Sequence, residues 1–445
     1  MLVLLAGVGC ATFSGSASAA GCDRYASPSG SDGGSGSGDS PYLTVARLDA
    51  SLSPGQTGCL LAGTYGNTST SSYLSHSGSA SGQITITSYP GATVTVVGLI
   101  DLAGSYTTLN GLNIDGSNTT YSSQRSGTSC PYPVSNGLEI DGQNDILQYS
   151  NYYQSVARLR GNGLGIGWNG QPNNTVIRYN RIHDVGGCDF YDHLIYLDSG
   201  NNVQIYDNWL WNDSHGWGIK LDPGPTNARI WANVIDSAGS GFGFADSSGD
   251  NPTAGNQVFQ NVVLNSVGLS NPDIGWSQPG ALVTSPGLLS SSTGNNVYDN
   301  DSYNNPGGIS ELSDVSFSQL SVTSNISVNP GFVNAAAHDY AVAPGSPLAS
   351  WGLWNGGFPA ITTPSVANAT PVAPLAAQAK PKSGKHPASK RRRSKTHNAK
   401  QHKRKRKQRH KAERRRRTAR KARRRGRKAH KVAARRRRPR NVHLP

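Results

Sequence analysis

The sequence predicts an all-β domain wound as a parallel β-helix, followed by a long, disordered and strongly basic tail. Three observations predict this. An apolar–Asn–apolar pattern recurs through the middle of the chain, an apolar–polar–turn pattern recurs in phase with it, and the two ends carry charge of opposite sign.

The first pattern places the strands. Asn180, Asn208, Asn233, Asn261 and Asn300 each follow a β-branched residue by three positions: Ile177, Ile205, Ile230, Val258 and Val297. Two positions after the first four comes a further apolar residue, Ile182, Leu210, Ile235 or Val263. Leu147–Tyr152 reads as an earlier repeat with Ser150 in the Asn position, and the intervals are 30, 28, 25, 28 and 39 residues. The second pattern runs Ile140-Asp141-Gly142, Trp168-Asn169-Gly170, Leu197-Asp198, Leu221-Asp222 and Ala245-Asp246, its last three Asp residues spaced 24 and 24. Self-similarity at such a period is the mark of a solenoid. Short strands with no helical stretch between them make it a β-helix rather than a leucine-rich or helical array. Rungs then stack at about 4.8 Å. Ile and Val fill the interior, and an Asn at each bend bonds to the Asn above and below it.

Composition agrees and divides the chain. Residues 1–379 hold 9 Lys/Arg against 25 Asp/Glu, whereas residues 380–445 hold 33 Lys/Arg and only Glu413. The formal net charge of +16 is therefore the sum of an acidic body and a basic tail. The body is rich in Gly, Ser, Asn and Thr and has one Met, which suits turns and strands and argues against helix bundles. The expected organisation is a secretory leader over 1–20, a β-helix domain over 21–358, a Pro/Ala-rich linker over 359–380 and the tail over 381–445. The leader is read from the apolar run Leu2–Val8 and the small residues Ala17-Ser18-Ala19-Ala20. No further stretch is long and apolar enough to span a membrane. Four cysteines remain after it: Cys22, Cys59, Cys130 and Cys188. In an exported chain they point to two disulfides. Sequence order favours Cys22–Cys59 with Cys130–Cys188, among three possible pairings.

Two stretches carry a family resemblance. Tyr25–Asp32, Pro41–Ala46, Pro54-Gly55-Gln56 and Ala62–Tyr65 resemble the opening of pectate-lyase-like right-handed parallel β-helix proteins. Asn329–Asn334, Asp339-Tyr340 and Pro344–Pro347 are similar to the way many of them close. The resemblance covers roughly residues 21–355. It implies a right-handed solenoid whose open end is capped by a short helix over Tyr42–Leu52. It also implies acidic polysaccharide as the ligand class. The signatures Trp-x-Asp-His, Arg-x-Pro-x-x-Arg and Asp-Pro-His-Asp of its better-known enzymes are absent.

Candidate chemistry centres on Lys220, the only lysine before residue 380. Strand alternation with Ile219 and Leu221 inward puts Lys220 and Asp222 outward. The same register puts Tyr196 and Asp198 outward one rung earlier, Phe244 and Asp246 one rung later, and Glu139 and Asp141 further back. Like charges on neighbouring strands repel, so the column calls for Lys220 or a bound cation. Asp198, Asp222 and Asp246 are expected to supply oxygens to Ca²⁺. The resemblance implies a lyase in which Lys220 takes the C5 proton of a uronate, with Tyr196 and His215 as further catalytic candidates. Glu139, Arg178 and Trp217 are the candidates for binding substrate. A hydrolase of polygalacturonase type is a competing reading, echoed by His215-Gly216 and Ile219-Lys220. A non-catalytic, glycan-binding surface rod is another.

The tail has almost no apolar content and cannot bury a core. A polycation this dense binds polyanions with strong salt dependence. With an export signal, the expected partners are an anionic cell-wall polymer, a lipid surface or the polysaccharide itself, and not nucleic acid. A secreted monomer retained at the cell surface is expected.

Overall fold

The repeats stack. The computed structural model describes residues 21–119, 136–156, 160–186, 190–246, 251–271 and 276–357. Of the two units into which the chain divides, 1–368 holds all of these and 369–445 lies outside them. The expected leader, linker and tail, and Cys130 and Cys188, also fall outside the described residues.

The first face is an 11-stranded, wholly parallel sheet that runs from Arg24–Ala26 to Leu320–Thr323. Its central strands put Leu147, Ile177, Ile205, Ile230, Val258 and Val297 directly in register. All six side chains are completely buried. The second sheet has 14 strands, 11 of them on its main path, and covers two faces. On the second face lie Asn113–Asp115, Asn151–Tyr153, Arg181–His183 and Val262–Leu264; on the third lie Leu138–Ile140, Leu164–Ile166 and Ile195–Leu197. Two long strands, Trp209–Leu221 and Val234–Ala245, turn the corner between those faces and join them. One coil thus passes through three faces, as in a right-handed parallel β-helix.

The corner between the first and second faces explains the Asn pattern. The residue before each ladder Asn sits in left-handed space, with φ of 56° at Tyr179, 53° at Asp207, 54° at Ala232 and 54° at Gln260. That residue turns the chain, and the Asn behind it points inward, where its amide must find partners. Asn180, Asn208, Asn233, Asn261 and Asn300 each donate from Nδ2 to the Oδ1 of the next, at 2.9 Å in every step, ending on Asn325. Ser150 N–H joins the near end by donating to Asn180 Oδ1 at 3.0 Å.

The N-terminal end is closed by one helix, Val45–Asp49, shorter than the expected Tyr42–Leu52. Thr44 caps it by accepting from Arg47 N–H at 3.1 Å, and Leu48 and Leu52 pack over Gly58 of the first rungs. A disulfide joins Cys22, just ahead of the strand Arg24–Ala26, to Cys59 on the strand paired with it, the expected pairing. After the last rung the chain returns over the second face. There Tyr340, Leu348 and Trp354 bury Trp209, Trp211, Val234, Val262 and Leu264. Among the described residues no helix is long and apolar enough to cross a membrane.

Candidate active site on the third face

The outward column of the third face runs Tyr73, Asp101, Glu139, Gly165, Tyr196, Lys220, Gly243, Thr284, Glu311, each paired with the next. Tyr196 and Lys220 are therefore neighbours, as strand alternation predicts. Phe244 is not in this column. Lys220 pairs with Gly243, while Phe242 and Phe244 point into the core and are fully buried. The 24-residue Asp interval misplaces this rung, because Ile195 pairs with Ile219 at an offset of 24 but Ile219 pairs with Phe242 at 23. A one-residue slip moves every side chain to the other face.

Lys220 lies on the outside of the sheet yet is only 4% exposed. Its Nζ sits 3.9 Å from the centroid of the Trp217 ring. Trp217 is itself buried, packed edge-on against Phe190 and His193, with Nε1 donating to Thr284 Oγ1. Trp217 thus walls the lysine rather than offering a free platform to a sugar. Gly243 is what lets them meet: a Cβ there would lie 2.7 Å from Lys220 Cδ and 2.8 Å from Trp217 Cδ1. Burial in this pocket lowers the Lys220 ammonium to about 8, against the opposing pull of Asp222 and Asp246.

Tyr196 behaves in the opposite sense. Burial raises its phenol well above the usual range, with Asp222, Asp198 and a hydrogen bond to Asp198 adding to the effect. Asp198 is in turn pushed up to about 7 by burial and by Asp222. Two rings flank Tyr196: His193, 5.4 Å away, and Trp168, 5.9 Å away and 50% exposed. His193 accepts the Trp217 N–H on Nδ1 at 3.4 Å. Strand alternation carried back from Ile195 would turn His193 inward. The strand begins only at Ile195, so the alternation does not extend back to His193.

The remaining candidates are placed elsewhere. Asp246 is turned into the next turn, where Oδ1 accepts from Thr253 N–H at 2.9 Å and Oδ2 from Leu289 N–H and Ser292 Oγ, both at 2.7 Å. It does not complete a ligand set with Asp198 and Asp222. Arg178 stands on the first face, with Nε and Nη2 on Gln148 Oε1 and Nη1 on the Tyr206 hydroxyl. His215 sits at the irregularity between Asp213 and Trp217, its backbone N–H on Asp213 Oδ1 at 3.2 Å. On the first face, the aromatic file of Tyr206, Trp231, Phe259 and Tyr298 stacks on itself.

The carboxylates that do converge are Asp101, Glu139 and Asp141, with one oxygen of each within 4.8 Å of the others. Glu139 is nearly buried and accepts from Asn136 Nδ2 and Asn169 Nδ2, both at 3.3 Å. Burial, then the charges of Asp141 and Asp101, push Glu139 up to about 7; burial and Asp141 push Asp101 to about 6. Asp101 Oδ1 is buried without a hydrogen-bond partner. A hard divalent cation fits this set, since it takes carboxylate oxygens and would meet the orphaned one. Asp101 escaped the sequence reading because residues 103–137 separate it from its neighbour on the next rung. The signal was Ile100-Asp101-Leu102 against Leu138-Glu139-Ile140, the same alternation in register.

No family model and no curated protein matches the sequence. Solved structures with a similar backbone path include pectate lyase Pel9A (14% identity over 72% of this chain and 84% of that one, TM-score 0.42). A rhamnogalacturonan lyase (16%, 70% and 91%, TM-score 0.42) and a PL6 alginate lyase in complex with a trisaccharide (13%, 66% and 62%, TM-score 0.36) are further examples.

Proposed function

We propose that the chain is an extracellular lyase acting on uronate-containing polysaccharide by β-elimination. The observation that carries this reading is Lys220, the one lysine among the described residues, buried between Tyr196 and Gly243 with its ammonium lowered to about 8. A base works best with a pKa near the working pH. Neutral Lys220 takes the C5 proton; the electron pair forms the C4–C5 double bond and expels the C4 oxygen. Tyr196, protonated throughout the neutral range, supplies the proton to that oxygen. Trp168 gives an exposed ring beside the two.

Asp101, Glu139 and Asp141 would hold a Ca²⁺ ion, which neutralises uronate carboxylates. Glu139 stands three register steps from Lys220, about 14 Å at ~4.8 Å each. The ion would therefore grip a different sugar of the same polymer from the one at Lys220. The basic tail would tether the protein to an anionic wall polymer or lipid surface.

The test is absorbance near 235 nm on mixing the full chain with pectate, alginate or glycosaminoglycan, with and without Ca²⁺. Unsaturated product that Lys220→Ala reduces by about 10²–10⁴ supports the lyase. Binding without product on every polymer overturns it and leaves a glycan-binding rod.

A further inference from the structure

We propose that the second face carries a binding site for a neutral sugar ring, separate from the outward column that holds Lys220 on the third face. The inference goes beyond the lyase reading and does not depend on it. A cavity of about 490 Å³ opens where the C-terminal return meets the second face, within the range of about 300–1,000 Å³ usual for small-ligand sites.

Each wall is held in place. Asn151, Arg181 and Trp209 are register neighbours on successive rungs. His183 stacks between Tyr153 and Trp211, at 5.7 and 4.2 Å, with Nδ1 2.7 Å from Asp184 Oδ2 and Nε2 3.0 Å from Asn151 Oδ1. Arg181 Nη2 donates to Gly356 O at 3.0 Å, and its guanidinium stands 5.6 Å from the centroid of the Trp209 ring. On the facing wall His338 adopts left-handed backbone, φ 57°, which a non-glycine residue adopts only against a steric cost. Three contacts hold it there: it stacks on Trp211 at 4.8 Å, its Nδ1 meets the Tyr340 hydroxyl at 3.0 Å, and that hydroxyl donates to buried Asp236 at 2.8 Å. A strained backbone fixed by a chain ending in a buried carboxylate marks a pre-set group. Trp209, 2% exposed, lines the cavity, and its Nε1–H has no acceptor among the described residues.

The chemistry of the lining selects the ligand. Arg181 and Asp339 cancel in formal charge, and amide and imidazole groups offer both donors and acceptors. Sugar hydroxyls, each donor and acceptor at once, match that mixture. A carboxylate or phosphate would meet Asp339 and the adjoining Asp184, and an apolar molecule would strand the polar groups. The strand Trp209–Leu221 serves both sites, with Trp209 and Trp211 on the second face and Trp217 and Lys220 on the third. One molecule thereby gains separate grips for neutral and acidic sugars.

Saturation-transfer NMR on the full chain tests this, with D-galactose, D-xylose, L-rhamnose and D-galacturonate as millimolar probes. Transfer to at least one neutral sugar is expected. Arg181→Gln should weaken it at least about tenfold, as loss of a hydrogen bond to a charged group does, and His338→Ala several-fold. Asn355→Ala, at an exposed position, guards against misfolding and should weaken it too, while Lys220→Ala should leave it unchanged. Transfer to galacturonate alone, transfer to none of the probes, transfer that survives all three lining variants, or transfer lost with Lys220→Ala overturns the proposal.

Discussion

Replacing Asp222 with Asn should move the titration of Lys220 downward. Burial lowers this ammonium to about 8, while Asp222 and, less strongly, Asp246 hold it up. Residues two apart on a strand lie about 6.7 Å from each other. At an effective dielectric of about 20, a unit charge at that distance contributes roughly 2.5 kcal/mol, or just under two pH units. Asp222 is itself buried, so little of this is screened, and Asp222→Asn should bring Lys220 to about 6.

The shift is measurable without any assumption about activity. In protein labelled with ¹³C at lysine Cε, the Lys220 methylene lies close to the Trp217 ring, and its ring-current shift sets it apart from the lysines of the tail. Its titration curve reads the pKa directly in wild type and variant. A resonance titrating near the ordinary value of about 10.4 would refute the claim that burial outweighs the carboxylates. So would an upward shift in Asp222→Asn.

Three further outcomes follow from the same geometry. Because the folded pKa of Lys220 lies below the unfolded one, its charge opposes folding below pH 8 and ceases to do so as pH rises toward 10.4. Lys220→Met should therefore be more stable than wild type by about 3 kcal/mol at pH 7 in urea unfolding, with the gap closing above pH 8; a gap that does not change with pH counts against this. Asn233→Ala removes three bonds donated by Nδ2, to Ile205 O, Trp231 O and Asn261 Oδ1, and two accepted from Asn208. It should cost about 3–5 kcal/mol, and a loss under about 1 kcal/mol would show that the ladder is ornamental. Ca²⁺ should raise Tm more at pH 8 than at pH 5, because Glu139 at about 7 and Asp101 at about 6 hold protons at the lower pH that the ion must displace; Glu139→Gln should abolish most of that difference, and an equal rise at both pH values argues for binding elsewhere.

The fold was legible because a solenoid writes its geometry into its period. Each Asn of the ladder needs the same neighbours as the one before it, so one local solution is repeated in the text. The corner itself was less legible: Tyr179, Ala232 and Gln260 all adopt left-handed backbone, and of these residue types none announces it. Tertiary packing imposes the conformation there against local preference. The helical cap was read too long for a related reason. Thr44 caps it and Ala50 ends it, while Tyr42 and Leu52 pack as apolar neighbours without helical backbone, a distinction that hydrophobic spacing cannot draw.

The site was legible only where rungs have equal length. Tyr196 and Lys220 meet because their rungs differ by the 24 residues that the Asp repeat also shows. One rung later the offset falls to 23, which puts Gly243 beside Lys220 and sends Asp246 into the following turn. That slip matters chemically. At an offset of 24, Phe244 would stand beside Lys220 and Asp246 beside Asp222, a second carboxylate to hold the ammonium up. With Gly243 there instead, the Trp217 ring can lie against the ammonium and exclude water, and exclusion of water is the force that brings it down to about 8. The acidic triad owes its position to the same freedom in rung length, since Glu139 pairs with Asp101 although it lies 24 residues beyond Asp115. A charged solenoid face can thus separate a buried lysine from a cluster of carboxylates by inserting or deleting residues between its strands, leaving the Asn ladder untouched.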